Sequence, residues 1–182
     1  MGPLLVIDIQ PAYSAGFGRR LTEEVLQEMR QVPANEPIVV VSVNEELSGD
    51  NADAIREFWL EQGMDDELFE RAVFLEKDYA FFRSWMDLGV PEEEIIAIAR
   101  EMRRRKVYDS RDLPEDVLAD IAPGGADLCD AIFLPYELEI ERQYKLPAWR
   151  ICGGGRGECL REVELWLDSC SISYNRIDHL TY

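Results

Sequence analysis

Short apolar runs alternate with amphipathic stretches along the whole chain. Leu4–Ile9 is apolar apart from Asp8 and predicts a buried first strand. "PIVVVSV", Pro37–Val43, is β-branched without polar alternation, the pattern of a strand covered on both faces. "AVFL", Ala72–Leu75, predicts a third strand. "AIFLP", from Ala131, and "AWRIC", Ala148–Cys152, predict two more, and "SISYNRIDHL" predicts a last one. Helical patterns fill the intervals. Thr22 is the expected cap of a helix through Met29, with Glu23 and Glu24 in its first turn. Asp50 or Asn51 caps the next, whose stripe is Ile55, Phe58 and Trp59 and whose stop is Gly63. A short helix is expected near Asp66–Glu70. Pro91 opens one that turns Ile95, Ile96, Ala99 and Met102 one way and ends in Arg103–Lys106, read as a solvated basic cap. Pro114 opens another, Tyr136–Tyr144 forms a further one, and a last helix from about Glu158 carries Leu160, Val163, Leu167 and Cys170 on one stripe.

Strands alternating with helices predict an α/β fold, with a mostly parallel sheet and helices on both faces. Ligands of such sheets sit beyond the carboxyl ends of the strands. Three segments end a strand and carry polar residues: Asp8 to Tyr13, Lys77 to Arg83, and Gly153 to Cys159. They are expected to meet in one crevice.

Charge narrows the partners. The 182 residues suit one domain, 1–182, and carry a net charge of −18 from 37 acidic and 19 basic side chains. Nucleic acid and anionic membrane surfaces are therefore not expected partners. Neither a signal peptide nor an 18-residue apolar span is found, so a cytoplasmic protein with reduced cysteines is expected. No cofactor or metal is expected either. The only histidine is His179, no C-x2-C pair exists, and both phosphate-binding glycine patterns are absent.

The candidate chemistry lies at the strand ends. Asp8 is an acid in an apolar strand, which requires a partner or a strand-end position. Lys77 precedes an aromatic block, Tyr79, Phe81, Phe82 and Trp85, where it would pair with an acid or lose its proton. Cys159 stands in the first turn of the last helix, after Gly153, Gly154 and Gly155. The helix dipole is expected to lower its pKa, so that iodoacetamide would react well below pH 8.5, the value of an ordinary thiol. The glycine turn would offer N–H donors to an oxyanion. Cys129, Cys152 and Cys170 read as core. Arg156 and Arg83 are candidate anion contacts, with solvent-facing turn residues as the alternative for Arg156, and Glu158 reads as a favourable first-turn acid.

Three motifs carry a resemblance. "LLVIDIQPAY", "EKDYAFF" and "GGGRGECL" are similar, in that order, to the opening strand, the Lys-x-x-Tyr-Ser-Ala-Phe stretch and the Gly-x-x-x-x-x-Cys-Val turn of the isochorismatase-like cysteine hydrolases. The resemblance implies a Rossmann-like three-layer α/β/α fold and an Asp8–Lys77–Cys159 triad. In it Cys159 attacks a carbonyl or related carbon, Asp8 takes the thiol proton, and Lys77 orients and stabilises the charges. Backbone N–H groups near Glu158 and Cys159 would bind the oxyanion. Gly154, Gly155, Arg156, Glu158, Tyr13, Phe81 and Arg83 are the corresponding candidates to contact a small-molecule substrate. The interval from Lys77 to Cys159 is longer than is usual in the family, which places a helical insertion over approximately 90–144. Arg156-Gly157-Glu158 also replaces the small or hydroxyl residues usual before the cysteine. Two readings follow: a hydrolase of a small amide or related C–N or carbonyl substrate, or a catalytically inactive fold used for binding or assembly. A homo-oligomer is expected from the exposed faces of the added helices.

Overall fold

The computed structural model describes residues 2–77, 81–128, 130–134 and 148–182. Five strands form one all-parallel sheet in the order β3-β2-β1-β4-β5. They are β1 (Leu4–Ile7), β2 (Ile38–Val43), β3 (Ala72–Lys77), β4 (Trp149–Gly153) and β5 (Tyr174–Arg176). β1 and β2 are buried at every position, as continuous apolar runs in a doubly covered parallel sheet should be. β3, at the edge, is half-exposed until Lys77.

Alternate side chains of each strand enter two cores. Leu5, Ile7, Val39, Val41 and Ile151 face α5 (Arg83–Asp87), α6 (Glu92–Arg105), α7 (Glu115–Ile121), α8 (Pro123–Ala126) and α9 (Cys159–Cys170). Leu4, Val6, Ile38, Val40 and Cys152 face α1 (Arg19–Gln31), α3 (Ala52–Glu61) and α4 (Asp66–Arg71). A short α2 (Glu45–Ser48) follows β2. The fold is thus a Rossmann-like three-layer α/β/α sandwich.

Local signals account for several helix ends. The Asn51 side chain accepts the Ala54 N–H at 2.8 Å, and Asp65 accepts the Leu68 N–H at 2.8 Å. Gly63 ends the α3 region with φ of 96°. Arg104 and Arg105, at the end of α6, both bond Glu101, as a surface cap should. Some expectations are corrected. α1 begins at Arg19, with Gly18 at its cap, so Thr22 is buried inside the helix rather than capping it. Ala131–Leu134 joins no sheet: Phe133 makes one antiparallel bridge to Asp109, away from the parallel strands. The final strand is three residues long, and Asp178–Leu180 turns into a 3-10 helix. The helix expected at Tyr136–Tyr144, together with Tyr79 and Cys129, lies outside the described residues.

The order of strands places the crevice. From β1 the chain builds outward to β2 and β3, then returns past β1 to β4 and β5. Strand order therefore reverses between β1 and β4, and their carboxyl ends flank the position where such sheets bind ligands. The β3-to-β4 connection must pass β2 and β1 to get there. α6 travels on this connection and buries Ile95, Ile98, Ala99 and Met102 in the same core as Leu160 and Val163 of α9.

Candidate active site

Asp8 follows β1 directly, with a left-handed backbone at φ of 50°. Aspartate tolerates that region better than most residues, but an ordinary strand extension would never enter it. Its N–H donates to the Val41 carbonyl at 2.9 Å, and its carbonyl accepts the Tyr182 hydroxyl at 3.1 Å. The turn throws the carboxylate inward, where Lys77 Nζ lies 3.2 Å from Oδ2 and both side chains are 0% exposed. β2 lies between β1 and β3, so the lysine stem reaches across the end of β2 to make this pair. Phe81 covers the ammonium at 5.8 Å from its ring centroid. Gln10 braces the segment from below. Its Oε1 accepts the Val43 N–H at 2.7 Å and its Nε2 donates to Asp50 Oδ2 at 2.9 Å.

Cys159 reaches the same carboxylate from the other side of β1. The route is a reversal that only glycine permits. Gly153 has φ of 79°, and a Cβ there would stand 2.2 Å from the Ile7 carbonyl oxygen. Gly154 has φ of 60°, with Leu160 N at 3.0 Å from its would-be Cβ. The Gly155 carbonyl then accepts the N–H groups of Glu158 at 3.0 Å and Leu160 at 3.2 Å, closing the turn into α9. The Glu158 N–H is therefore committed within the turn. The Cys159 N–H has no backbone acceptor among the described residues, which leaves it as the donor available beside the sulfur. The thiol lies close enough to Asp8 for each group to shift the other's titration, although neither Asp8 oxygen has an aligned hydrogen-bond donor among the described residues.

Electrostatics departs from the expected depressed thiol. Burial, followed by the negative charge of Asp8, pushes Cys159 up to about 12, against the pull of Lys77. Burial first, and then the nearby carboxylate, outweigh the diffuse field of a helix terminus. Burial also raises Asp8 above its ordinary value, with Lys77 and the thiol opposing it. Burial would lower Lys77, but Asp8 and then Cys159 outweigh it and the ammonium stays charged. The resting arrangement is a neutral thiol against an ion pair, with a carboxylate of increased basicity next to the sulfur.

The other sequence candidates sit around this centre in different ways. Arg83 pairs with Asp87 at 2.9 Å and with Glu158 at 3.3 Å, so these two residues close one rim. Arg156 turns away. Its Nε donates to Thr181 Oγ1 at 2.7 Å and its Nη2 to the Asp178 carbonyl at 2.6 Å, which ties the glycine turn to the 178–181 segment. Gly154 accepts the Tyr182 N–H at 3.2 Å in the same tie, and Gly155 spends its carbonyl on the turn. Tyr13 is half-buried and packs against the second core beside Tyr182. Besides Gln10, two further contributors are not among the sequence candidates. Tyr182 supports Asp8 from a distant segment. Glu162, one turn beyond Cys159 on α9, is buried and accepts the Phe82 N–H at 2.9 Å. Its signal was its spacing from Cys159, three residues on and hence on the same face.

Among the described residues no cluster of three or more His, Cys, Asp or Glu side chains could hold a metal ion. No described helix is long and apolar enough to cross a membrane. Comparison with protein-family models, with curated proteins and with solved structures finds no match to this chain.

Proposed function

We propose that the protein is a cysteine-dependent hydrolase of a small amide or a related C–N or carbonyl compound, with Cys159, Asp8 and Lys77 as its working groups. The supporting observation is the Asp8 carboxylate, fully buried, paired with Lys77 at 3.2 Å and neighboured by the Cys159 thiol at the carboxyl end of β1. The order of the three motifs and their resemblance to isochorismatase-like cysteine hydrolases support the same reading.

The steps balance with these residues and water. Cys159 Sγ forms a bond to the substrate carbonyl carbon as Asp8 takes the thiol proton, so a free thiolate is never required. The Cys159 N–H donates to the developing oxyanion, and the Lys77 ammonium offsets the negative charge of the centre. Asp8 returns its proton to the leaving amine as the C–N bond breaks, leaving a thioester. Water then attacks, Asp8 accepts its proton, and the acid departs as sulfur is reprotonated.

A panel of small amides assayed for amine or ammonia release tests the proposal. Cys159→Ala should abolish turnover, and Asp8→Asn should lower kcat about 10²–10⁴-fold. Asp8→Asn should also speed alkylation of Cys159, because it removes a charge that holds the thiol up. Retained turnover in Cys159→Ala would end the proposal. The reading as a binding or assembly module is favoured by the burial of Cys159 beside the Asp8 charge, which keeps its thiol protonated. Tight binding of a panel member without turnover in either form would support it.

We also infer a reducing, cytoplasmic setting, in keeping with free thiols at Cys152 and Cys159. A homo-oligomer is the proposed assembly, and light scattering that gives a 21.0 kDa particle would refute it.

A further inference from the structure

Glu162 is 1% exposed, and an ionised carboxylate at that depth needs compensation. Its Oε1 holds the Phe82 N–H at 2.9 Å, just where the chain enters α5 beside Phe81. The charged and titratable groups that act on it come from each neighbouring element: Lys77 of β3, Asp8 after β1, Arg83 of α5 and Cys159 of its own helix. The α6 groups that reach α9 are engaged elsewhere. Glu92 bonds Arg161, Arg100 donates to the Asp168 carbonyl, and Arg103 reaches Ser169.

We propose that Glu162 is a positioning residue of the Cys159 site: it clamps the chain at Phe82 onto α9 and supplies the second buried carboxylate against which the Lys77 ammonium is balanced. Its consequence for turnover rests on the thiol chemistry proposed above, whereas its effect on the sulfur does not. Asp8 and Glu162 are two buried carboxylates around the Lys77 ammonium, with Arg83 further toward the rim, so a thiolate at Cys159 would add a third negative charge to this interior cluster. Each carboxylate opposes loss of the thiol proton. Glu162 is raised to about 7, mainly by burial, so its negative charge appears across the neutral range and the restraint on sulfur grows with it.

The test is the rate at which methyl methanethiosulfonate modifies Cys159, followed on the Cys159 peptide by mass spectrometry from about pH 5.5 to about 8.5. Glu162→Gln keeps an oxygen for the Phe82 N–H and removes the charge. The rate ratio of variant to wild type should be close to unity at the acid end, where Glu162 is already neutral. It should rise to about five-fold at the alkaline end. A loosened fold would speed modification equally at every pH, so a ratio that is flat, whatever its size, or that falls with pH overturns the proposal. Should Glu162→Gln not fold, the wild-type Phe82 amide resonance decides: it should move with a midpoint near about 7, and an unmoved resonance overturns the proposal. Failure of the hydrolase reading is separate, since it is read from turnover in Cys159→Ala.

Discussion

Gly153 is the residue on which the approach of sulfur to carboxylate depends. Its φ of 79° and the 2.2 Å separation from the Ile7 carbonyl leave no room for a Cβ, because the obstructing atom is backbone of the central strand. Gly153→Ala should therefore cost about 3 kcal/mol or more, combining left-handed strain with a displaced β1–β4 pair. Urea unfolding measures it, and a loss under about 1 kcal/mol would contradict the geometry. Asp8, Lys77 and Cys159 were legible because each breaks a local pattern: an acid in an apolar strand, an amine at a strand end, a thiol after three glycines. Glu162 breaks no pattern in a chain with 37 acidic residues, and its burial depends on Phe82, which approaches it only in the folded state. Tyr182 and Gln10 were illegible for the same reason. Gln10 acts through Val43 and Asp50, 33 and 40 residues away, and Tyr182 acts through the Asp8 carbonyl, 174 residues away. The thiol is raised rather than lowered for a different cause, since the sequence displays the helix start but conceals first how deeply the sulfur is buried and then how near Asp8 comes.

At the scale of elements, the apolar stripe of α6 was read almost correctly, with Ile98 rather than Ile96 fully buried. Its place was less visible. From sequence the stretch over 90–144 resembles added material, yet β3 and β4 stand three positions apart in the sheet. A parallel crossover of that span needs a covering helix, and α6 provides one against α9. The distinction is measurable. Ile98 is 0% exposed in the core shared with Leu160 and Val163. Ile98→Ala should cost about 2–4 kcal/mol in a single cooperative urea transition, as a core deletion does. An appended helix would instead melt in a separate, earlier transition. Helix starts were readable where a side chain caps, as at Asn51 and Asp65, and misplaced at α1, whose cap is Gly18. The run from Ala131 to Leu134 looked like a strand because apolar content alone does not say whether a sheet edge is free to receive it.

For the whole molecule, the alternation of runs made the layered α/β class legible, whereas the strand order, and hence the crevice between β1 and β4, follows from long-range pairing that no local pattern encodes. The same assembly concentrates titratable groups in its interior, and this sets how stability responds to pH. Glu162 has an ordinary value of 4.5 and stands near 7 when folded, raised mainly by burial. The folded state thus holds a proton that the unfolded chain releases over that interval. Its contribution is fully present below about 4.5 and is lost as pH rises through about 7. Asp8 is raised as well and acts with the same sign. A net charge of −18 adds self-repulsion as the remaining carboxylates ionise. Glu92 and Asp109 are lowered by their arginine partners and pull the other way, but only at acid pH, because each is ionised in both states near neutrality. The melting temperature should therefore be higher at about pH 5.5 than at pH 8, with Glu162 supplying up to about 2 kcal/mol of the difference. Glu162→Gln cannot ionise at this position, so its melting temperature should change less over the same interval. Differential scanning calorimetry at both pH values decides the point, and a wild type more stable at pH 8 than at 5.5 would show that the buried carboxylates are compensated far better than their surroundings indicate.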